Sequence, residues 1–314
     1  MEKLKRMKQA GIFLFLILTT SIVFAQQKVN IFDNAEFAVQ PVALINTDAS
    51  ELAPFFIDEL ICFSAIPKKY MGKTRRMKKN TAFYSLYAAE MDENANVSSP
   101  RRPVPGFGSD IHEGPADYCA QTGEMFVTVS NVEGLDTKQE LKKAKNIRLR
   151  LVIKKQVNLK WITVEELPFN DSRFHFAHPA INRTGDTLIF SSDLDSLNYG
   201  QSDLYMSIRK DGEWSDPVNL GNYINTQGNE MFPTFLPNGY LSFATDGRTI
   251  KHGGLDIYYV SFPELEEVEI FDEPINSPFD DFHLVIYPTG KSGYFTSNRS
   301  KTTSDDLYRF EVEE

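Results

Sequence analysis

Short apolar runs that close on small or hydroxyl residues recur along the chain: ICFSA at 61–65, MFVTV at 125–129, LIFSS at 188–192, LSFAT at 241–245 and GYFTS at 293–297. Measured at Phe63, Val127, Phe190, Phe243 and Phe295, the spacings are 64, 63, 53 and 52 residues. Runs this short, rich in β-branched and aromatic residues, predict strands. A turn precedes each run in the later copies: QTGE at 121–124, RTGD at 183–186, PNGY at 237–240 and PTGK at 288–291. Glycine there supplies the positive φ of a tight hairpin; the first copy has no such glycine. Ahead of the turns lie apolar stretches, APFF, GPADYC, HPAI, FPTF and HLVI. A polar loop and a third strand follow each run, in FYSLYAA (83–89), NIRLRLV (146–152), SDLYMSI (202–208), LDIYYV (255–260) and DDLYRF (305–310). A fourth strand follows in KWITVEEL (160–167), EWSDPVNL (213–220) and EVEIFDEP (267–274), and RRPVPGF (101–107) takes that slot in the first copy.

Repeats of this length suit four-stranded propeller blades with loops. The copies are out of phase with the chain ends. Five first, second and third strands are present, but only four fourth strands follow them. The missing one is at the other end, where FAVQPVAL (37–44) resembles SDPVNL (215–220) and both run into an Ile-Asn-Thr triplet. INTDASELAPFF (45–56) and INTQGNEMFPTF (224–235) agree at six of twelve positions. The expectation is an all-β, five-bladed β-propeller of antiparallel blades, its ring closed by the N-terminal strand. Closure hides the edge that a partial blade would expose. Six blades would need a degenerate repeat hidden in the long first two units. Helix is expected only within KQELKKAK (138–145).

The motifs PTFLPNGYLSFATD with GGLDIYYV, and HPAINRTGDTLIFSSD with GQSDLYMS, resemble the WD40-like β-propeller repeats of the TolB-like periplasmic (Tol-Pal type) group. The resemblance covers most of residues 37–312 and is clearest in the third to fifth copies. It implies a non-catalytic propeller of the cell envelope that acts as a protein-protein interaction or scaffold module.

The N-terminus adds a compartment. Four basic residues, Lys3, Lys5, Arg6 and Lys8, precede an apolar run ending at Val23 to Ala25. That is the form of a signal peptide, and the run is short for a membrane span. Residues 1–25 are therefore read as a leader and 26–314 as a single propeller domain in the periplasm, with no stable membrane span after cleavage and with outer-membrane association or secretion as variants. Losing the leader takes 33 basic residues to 29 and 43 acidic residues to 42, so the net charge moves from −10 to −13. Such a balance argues against duplex nucleic acid as a partner. Cys62 and Cys119 lie in strand-like segments; buried free thiols and a disulfide both fit.

The junctions between fourth and first strands carry the sharpest chemistry. Five residues beyond Asn46, Gly108, Asn170, Asn225 and Asn276 stand Glu51, Glu113, His175, Glu230 and Asp281. First strands line a propeller's channel, so these five are expected as a ring at one mouth. Three readings compete. The carboxylates can cap neighbouring turns; they can bind a cation, Ca²⁺ being suited to oxygen ligands; or two can serve as acid and base in glycoside hydrolysis, making the chain a carbohydrate-active hydrolase or lectin. A residue repeated in every blade answers most simply to a need repeated in every blade. Asn46, Asn225 and Asn276 are read as turn formers bonding their own backbone, and Trp161 and Trp214 as packed on outer strands, with sugar stacking as their other use. A basic stretch with Lys68, Lys69, Lys73, Arg75, Arg76, Lys78 and Lys79 sits in the second-to-third loop of the first copy, and Lys138, Lys142, Lys143 and Lys145 in that of the second. Both are expected on the face of the ring residues, as contacts for an envelope protein with an acidic surface, lipid head groups or an anionic glycan. No Gly-x-Ser-x-Gly, Walker or His-Glu-x-x-His motif occurs, and the histidines at 112, 175, 178, 252 and 283 have no metal-type spacing.

Overall fold

A computed structural model describes Phe32 and residues 35–67, 83–108, 111–131, 148–194, 198–300 and 304–313. Residues 1–25, both basic loops and the KQELKKAK segment lie outside the described residues. Residues 36–314 form one compact unit. Among the described residues no helix is long and apolar enough to cross a membrane.

The unit is a five-bladed propeller. Blade 1 comprises β2 (Glu51–Ile57), β3 (Leu60–Ala65), β4 (Ser85–Glu90) and β5 (Arg102–Pro103). Blade 2 comprises β6 (Glu113–Cys119), β7 (Glu124–Asn131), β8 (Arg148–Val157) and β9 (Lys160–Glu166). Blade 3 has β10 (Phe176–Ile181), β11 (Thr187–Ser192) and β12 (Asp203–Lys210), with its fourth strand split into β13 (Glu213–Trp214) and β14 (Val218–Asn219). Blade 4 has β15 (Glu230–Leu236), β16 (Tyr240–Thr245), β17 (Asp256–Ser261) and β18 (Glu269–Ile270). Blade 5 has β19 (Asp281–Ile286), β20 (Ser292–Ser297) and β21 (Asp306–Glu313), and its fourth strand is β1 (Glu36–Pro41). β1 runs antiparallel to β21, with Glu36 facing Glu313 and Pro41 facing Tyr308. The five repeats account for all five blades and no sixth is needed. The first blade's hairpin turns without glycine because Asp58 takes the left-handed conformation at φ 51°.

The first strands meet in a closed ring, β2 to β6 to β10 to β15 to β19 and back to β2. Each carries a bulge at the same place, and the residue there has positive φ: Ala53, Gly114, His178, Phe232 and His283. Second-strand hydroxyls explain why this is tolerated. Thr296 Oγ1 accepts the Ala53 N–H at 3.0 Å and Thr128 Oγ1 accepts the His178 N–H at 3.0 Å, in each case from the neighbouring blade. At these two bulges the hydroxyl after the neighbouring blade's anchor serves the N–H that the bulged strand's own ladder leaves unpaired.

The bulges also fill the axis. His178 stacks on Phe232 with centroids 3.9 Å apart, and Phe232 meets Phe282 at 4.6 Å and His283 at 5.8 Å. Leu52, Ala53, Phe232, Ala244 and Phe282, from blades 1, 4 and 5, form one buried cluster. At this level the channel is packed with side chains. Burial pushes the His178 imidazole down to about 3, helped by the charge of His283, and takes His283 down to about 4. Cys62 and Cys119 are free and buried, on blades 1 and 2. Trp161 and Trp214 are buried on fourth strands, against Tyr118 and Phe126 respectively.

Candidate functional site

Glu51, Glu113, Glu230 and Asp281 each open a first strand opposite the last core residue of the second: Ala65, Val129, Thr245 and Ser297. His175 does not. In blade 3 the residue at that register is Phe176, facing Ser192, and His175 lies one position earlier. The junction from Asn170 is one residue longer than the others, so a fixed count of five stops short. Phe176 is buried against Phe169 and Phe190. His175 instead takes the Leu149 N–H on Nδ1 at 3.3 Å and approaches Arg148 through Nε2 at 3.2 Å. Burial lowers its affinity for a proton, Arg148 lowers it further and Asp193 opposes them.

Each carboxylate is used by its own junction. Glu51 accepts the Thr47 N–H at 2.9 Å and the Thr47 hydroxyl at 2.7 Å, and pairs with Arg101. Glu113 accepts the Gly108 N–H at 2.8 Å and stands 3.5 Å from Lys154 Nζ. Glu230 accepts the Thr226 N–H at 2.8 Å and the hydroxyls of Thr226 and Thr245 at 2.6 Å. Asp281 accepts the Ser277 N–H at 2.7 Å and its hydroxyl at 2.6 Å, and pairs with Arg299. Glu51, Glu230 and Asp281 are fully buried. Burial raises all three above the usual carboxylate range, against the pull of these hydrogen bonds and, for Glu51 and Asp281, of the paired arginine. Among the described residues, no group of three or more His, Cys, Asp or Glu side chains could hold a metal ion.

The asparagines do something the sequence reading missed. They bond the third strand of the blade just completed, not their own backbone. Asn46 Nδ2 donates to Leu307 O at 2.9 Å, and its Oδ1 accepts the Leu307 N–H at 3.0 Å. Asn170 clamps Leu151 at 2.7 and 3.0 Å, Asn225 clamps Leu204 at 3.0 and 2.8 Å, and Asn276 clamps Ile257 at 3.0 and 2.8 Å. The side-chain amide thereby mimics a peptide unit of an added strand residue. Gly108 holds the corresponding place after blade 1 and has no side chain to do so. The recurrence of Asn at these junctions was the available signal; its partner, up to 261 residues away, was not.

In blades 3 to 5 the loops of this face are tied to the junctions by hydrogen bonds and close backbone contact. Arg248 Nη2 donates to Tyr223 O at 2.8 Å and Ile224 O at 3.0 Å, and Arg299 Nη1 donates to Pro274 O at 2.6 Å, so each reaches back to the junction entering its blade. Gly200 and Gly253 let second-to-third loops lie on the next junction; a Cβ would come within 2.1 Å of Gly228 O and 2.0 Å of Phe279 O. Leu44, Tyr199, Tyr223, Ile250 and Phe279 stand exposed on these loops and junctions. A cavity of about 380 Å³ opens beside Arg248, Ile250 and Tyr258. The stretch with Lys68, Lys69, Lys73, Arg75, Arg76, Lys78 and Lys79 falls in sequence between β3 and β4, outside the described residues.

No family model and no curated protein matches the chain. Solved structures do. A thermostable family-43 glycoside hydrolase is 10% identical over 84% of this chain and 89% of that one, with a TM-score of 0.50. TolB from Acinetobacter baumannii is 11% identical over 73% of this chain and 48% of that one, with a TM-score of 0.43. A putative TolB from Agrobacterium tumefaciens is 11% identical over 86% and 79%, with a TM-score of 0.45. The chain thus spans about half the length of the Acinetobacter protein. At these identities the likeness is one of fold.

Proposed function

We propose that this chain is a non-catalytic propeller of the cell envelope that binds a protein partner through its junction and loop face. One observation carries the reading: the first-strand carboxylates, where a propeller hydrolase would keep its acid and base, are all spent on backbone N–H groups of their own junctions and on hydroxyls and cations close by. An acid-base pair needs oxygens open to substrate and unlike surroundings. These oxygens are buried and already bonded, and the axis beside them is packed. Exposed Tyr223, Ile250 and Phe279 on stiffened loops suit protein contact, where aromatic anchors on a rigid scaffold contribute most. The basic residues 68–79 between β3 and β4 extend the same proposal to a partner with an acidic surface. The leader-like N-terminus and the sequence resemblance support an envelope location.

The test is photo-crosslinking in host cells with the reactive group at Tyr223 or Phe279, and a control at Glu213 on the opposite face. One defined envelope protein captured at Tyr223 and Phe279 but not at Glu213 is the expected result. In parallel, polysaccharides are screened for release of reducing ends by the purified chain. Hydrolysis abolished by Glu230→Gln in a folded variant would overturn the reading in favour of a glycosidase.

A further inference from the structure

Each blade places one side chain of its second strand directly across from one of its third strand, one position before the anchor residue. The pairs are Phe126 with Ile153, Ile189 with Met206, Ser242 with Tyr259, and Tyr294 with Arg309. Every one includes a large side chain. Blade 1 has Cys62 opposite Ala88. The consequence shows in the clefts between blades. Between blades 2 and 3, Trp214 packs edge-on against Phe126 at 5.8 Å, and Arg209 lies 4.4 Å above the indole while pairing with Glu124 at 2.9 Å. Trp161 is the counterpart of Trp214 one cleft earlier. It shares a core cluster with Cys62 and Ala88, so the ring that Phe126 offers Trp214 is missing.

A cavity of about 650 Å³ stands in its place. That is within the roughly 300–1,000 Å³ typical of small-molecule sites. It opens on the face opposite the loops, between the β2–β3 and β8–β9 hairpins. Its floor is Cys62, Ala88 and Val104, and its aromatic wall is Trp161 and Tyr118, with centroids 5.8 Å apart at 83°. Leu159, 77% exposed, overhangs the mouth. Two cations flank it. Arg102 is paired with Glu90 at 3.3 Å and Lys155 with Glu124 at 3.4 Å, and both cations are about half exposed. The Arg102–Glu90 pair is exposed at both ends and holds its charges weakly; Glu124 is buried and keeps Arg209 at 2.9 Å, so Lys155 can turn to an anion at the mouth without leaving that carboxylate unpaired. Among the described residues that line the cavity, Asp58 is the one acidic group.

We propose that the cleft between blades 1 and 2 is a binding site for a small amphipathic anion with a flat apolar body. The body lies against Trp161 where the next cleft holds a phenyl ring, and the carboxylate or sulfonate meets Arg102 and Lys155. The site is on the other face from the proposed protein contact and stands or falls separately from it.

The full chain is titrated with 8-anilinonaphthalene-1-sulfonate, following dye fluorescence and tryptophan quenching, with 2-naphthoate and neutral 2-naphthalenemethanol as competitors. Saturable one-to-one binding is expected, with naphthoate displacing the dye at least tenfold better than the alcohol. Cys62→Phe supplies the ring of blade 2's Phe126, and Cys62→Ile with Ala88→Met copies the blade 3 pair; either filling is expected to weaken the dye at least tenfold without lowering the unfolding midpoint. The surface variant Arg102→Gln/Lys155→Gln covers the case in which neither filled core folds. It is expected to erase the preference for naphthoate over the alcohol. Absence of saturable binding, a filled variant that binds as the parent does, or a preference that survives loss of both cations would each overturn the proposal.

Discussion

Asn46 is the most informative residue to perturb. It closes the ring by binding Leu307, and Asn225 and Asn276 make the same two bonds inside continuous stretches of chain. In Asn46→Ala the Leu307 carbonyl keeps a partner, because Val42 N–H donates to it at 2.9 Å. The Leu307 N–H has none left and sits at a buried residue. One lost bond of about 1 kcal/mol plus an orphaned buried donor at about 1–3 kcal/mol gives a cost of roughly 2–4 kcal/mol. For a domain of this size that lowers Tm by roughly 4–16 °C. Asn225→Ala should cost a similar amount, since its chemistry is the same. The two should differ in where the structure opens. Loss of the Asn46 latch frees β1, which no neighbouring stretch of chain holds in the fifth blade, so amide hydrogen exchange should accelerate across Glu36–Pro41 and its partners on β21. Asn225→Ala should leave those amides alone. A midpoint unchanged by Asn46→Ala, or the same exchange pattern in both variants, would refute the latch.

Acid should weaken the fold through the axial histidines. Their native values, about 3 for His178 and about 4 for His283, lie below the unfolded value near 6.5, so the unfolded chain binds protons first as pH falls. Stability is therefore full above pH 6.5 and drains as pH drops toward 4, at about 2 kcal/mol per histidine between pH 7 and pH 5. The raised carboxylates of Glu51, Glu230 and Asp281 act in the opposite sense, so the clean comparison is His283→Phe. Phenylalanine already occupies this bulge as Phe232, and the variant's denaturant midpoint should depend less steeply on pH; an unchanged slope would rule the histidine out as the cause. Arg299→Met should cost about 3–5 kcal/mol by leaving the buried Asp281 carboxylate without its cation, and adding Asp281→Asn should recover part of it in chemical denaturation.

Most of the architecture was legible in the sequence. The five strand anchors, four of them phenylalanine, the turn glycines of the later copies and the misplaced fourth strand mark out the number of blades, their strand order and the closure by β1. These are local patterns repeated, and strand alternation with hairpin chemistry is set within a few residues. The role of the carboxylates as caps was also within reach, because a group repeated with every junction answers a need of every junction. What failed was counting. His175 was placed by its distance from Asn170, but register is set by pairing across the sheet, and there Phe176 takes the position.

The tertiary structure alone decided the rest. The asparagine clamps join residues 19 to 261 positions apart, a distance that no local pattern encodes. The packed axis depends on bulges that turn His178, Phe232 and His283 from three blades toward one another. The cleft beside Trp161 arises because two small residues on adjacent strands face a neighbouring blade. Each side chain looks ordinary in its own strand. Only the packing of one blade against the next turns a cysteine and an alanine into an opening, because volume left unfilled is a property of neighbours and not of sequence position.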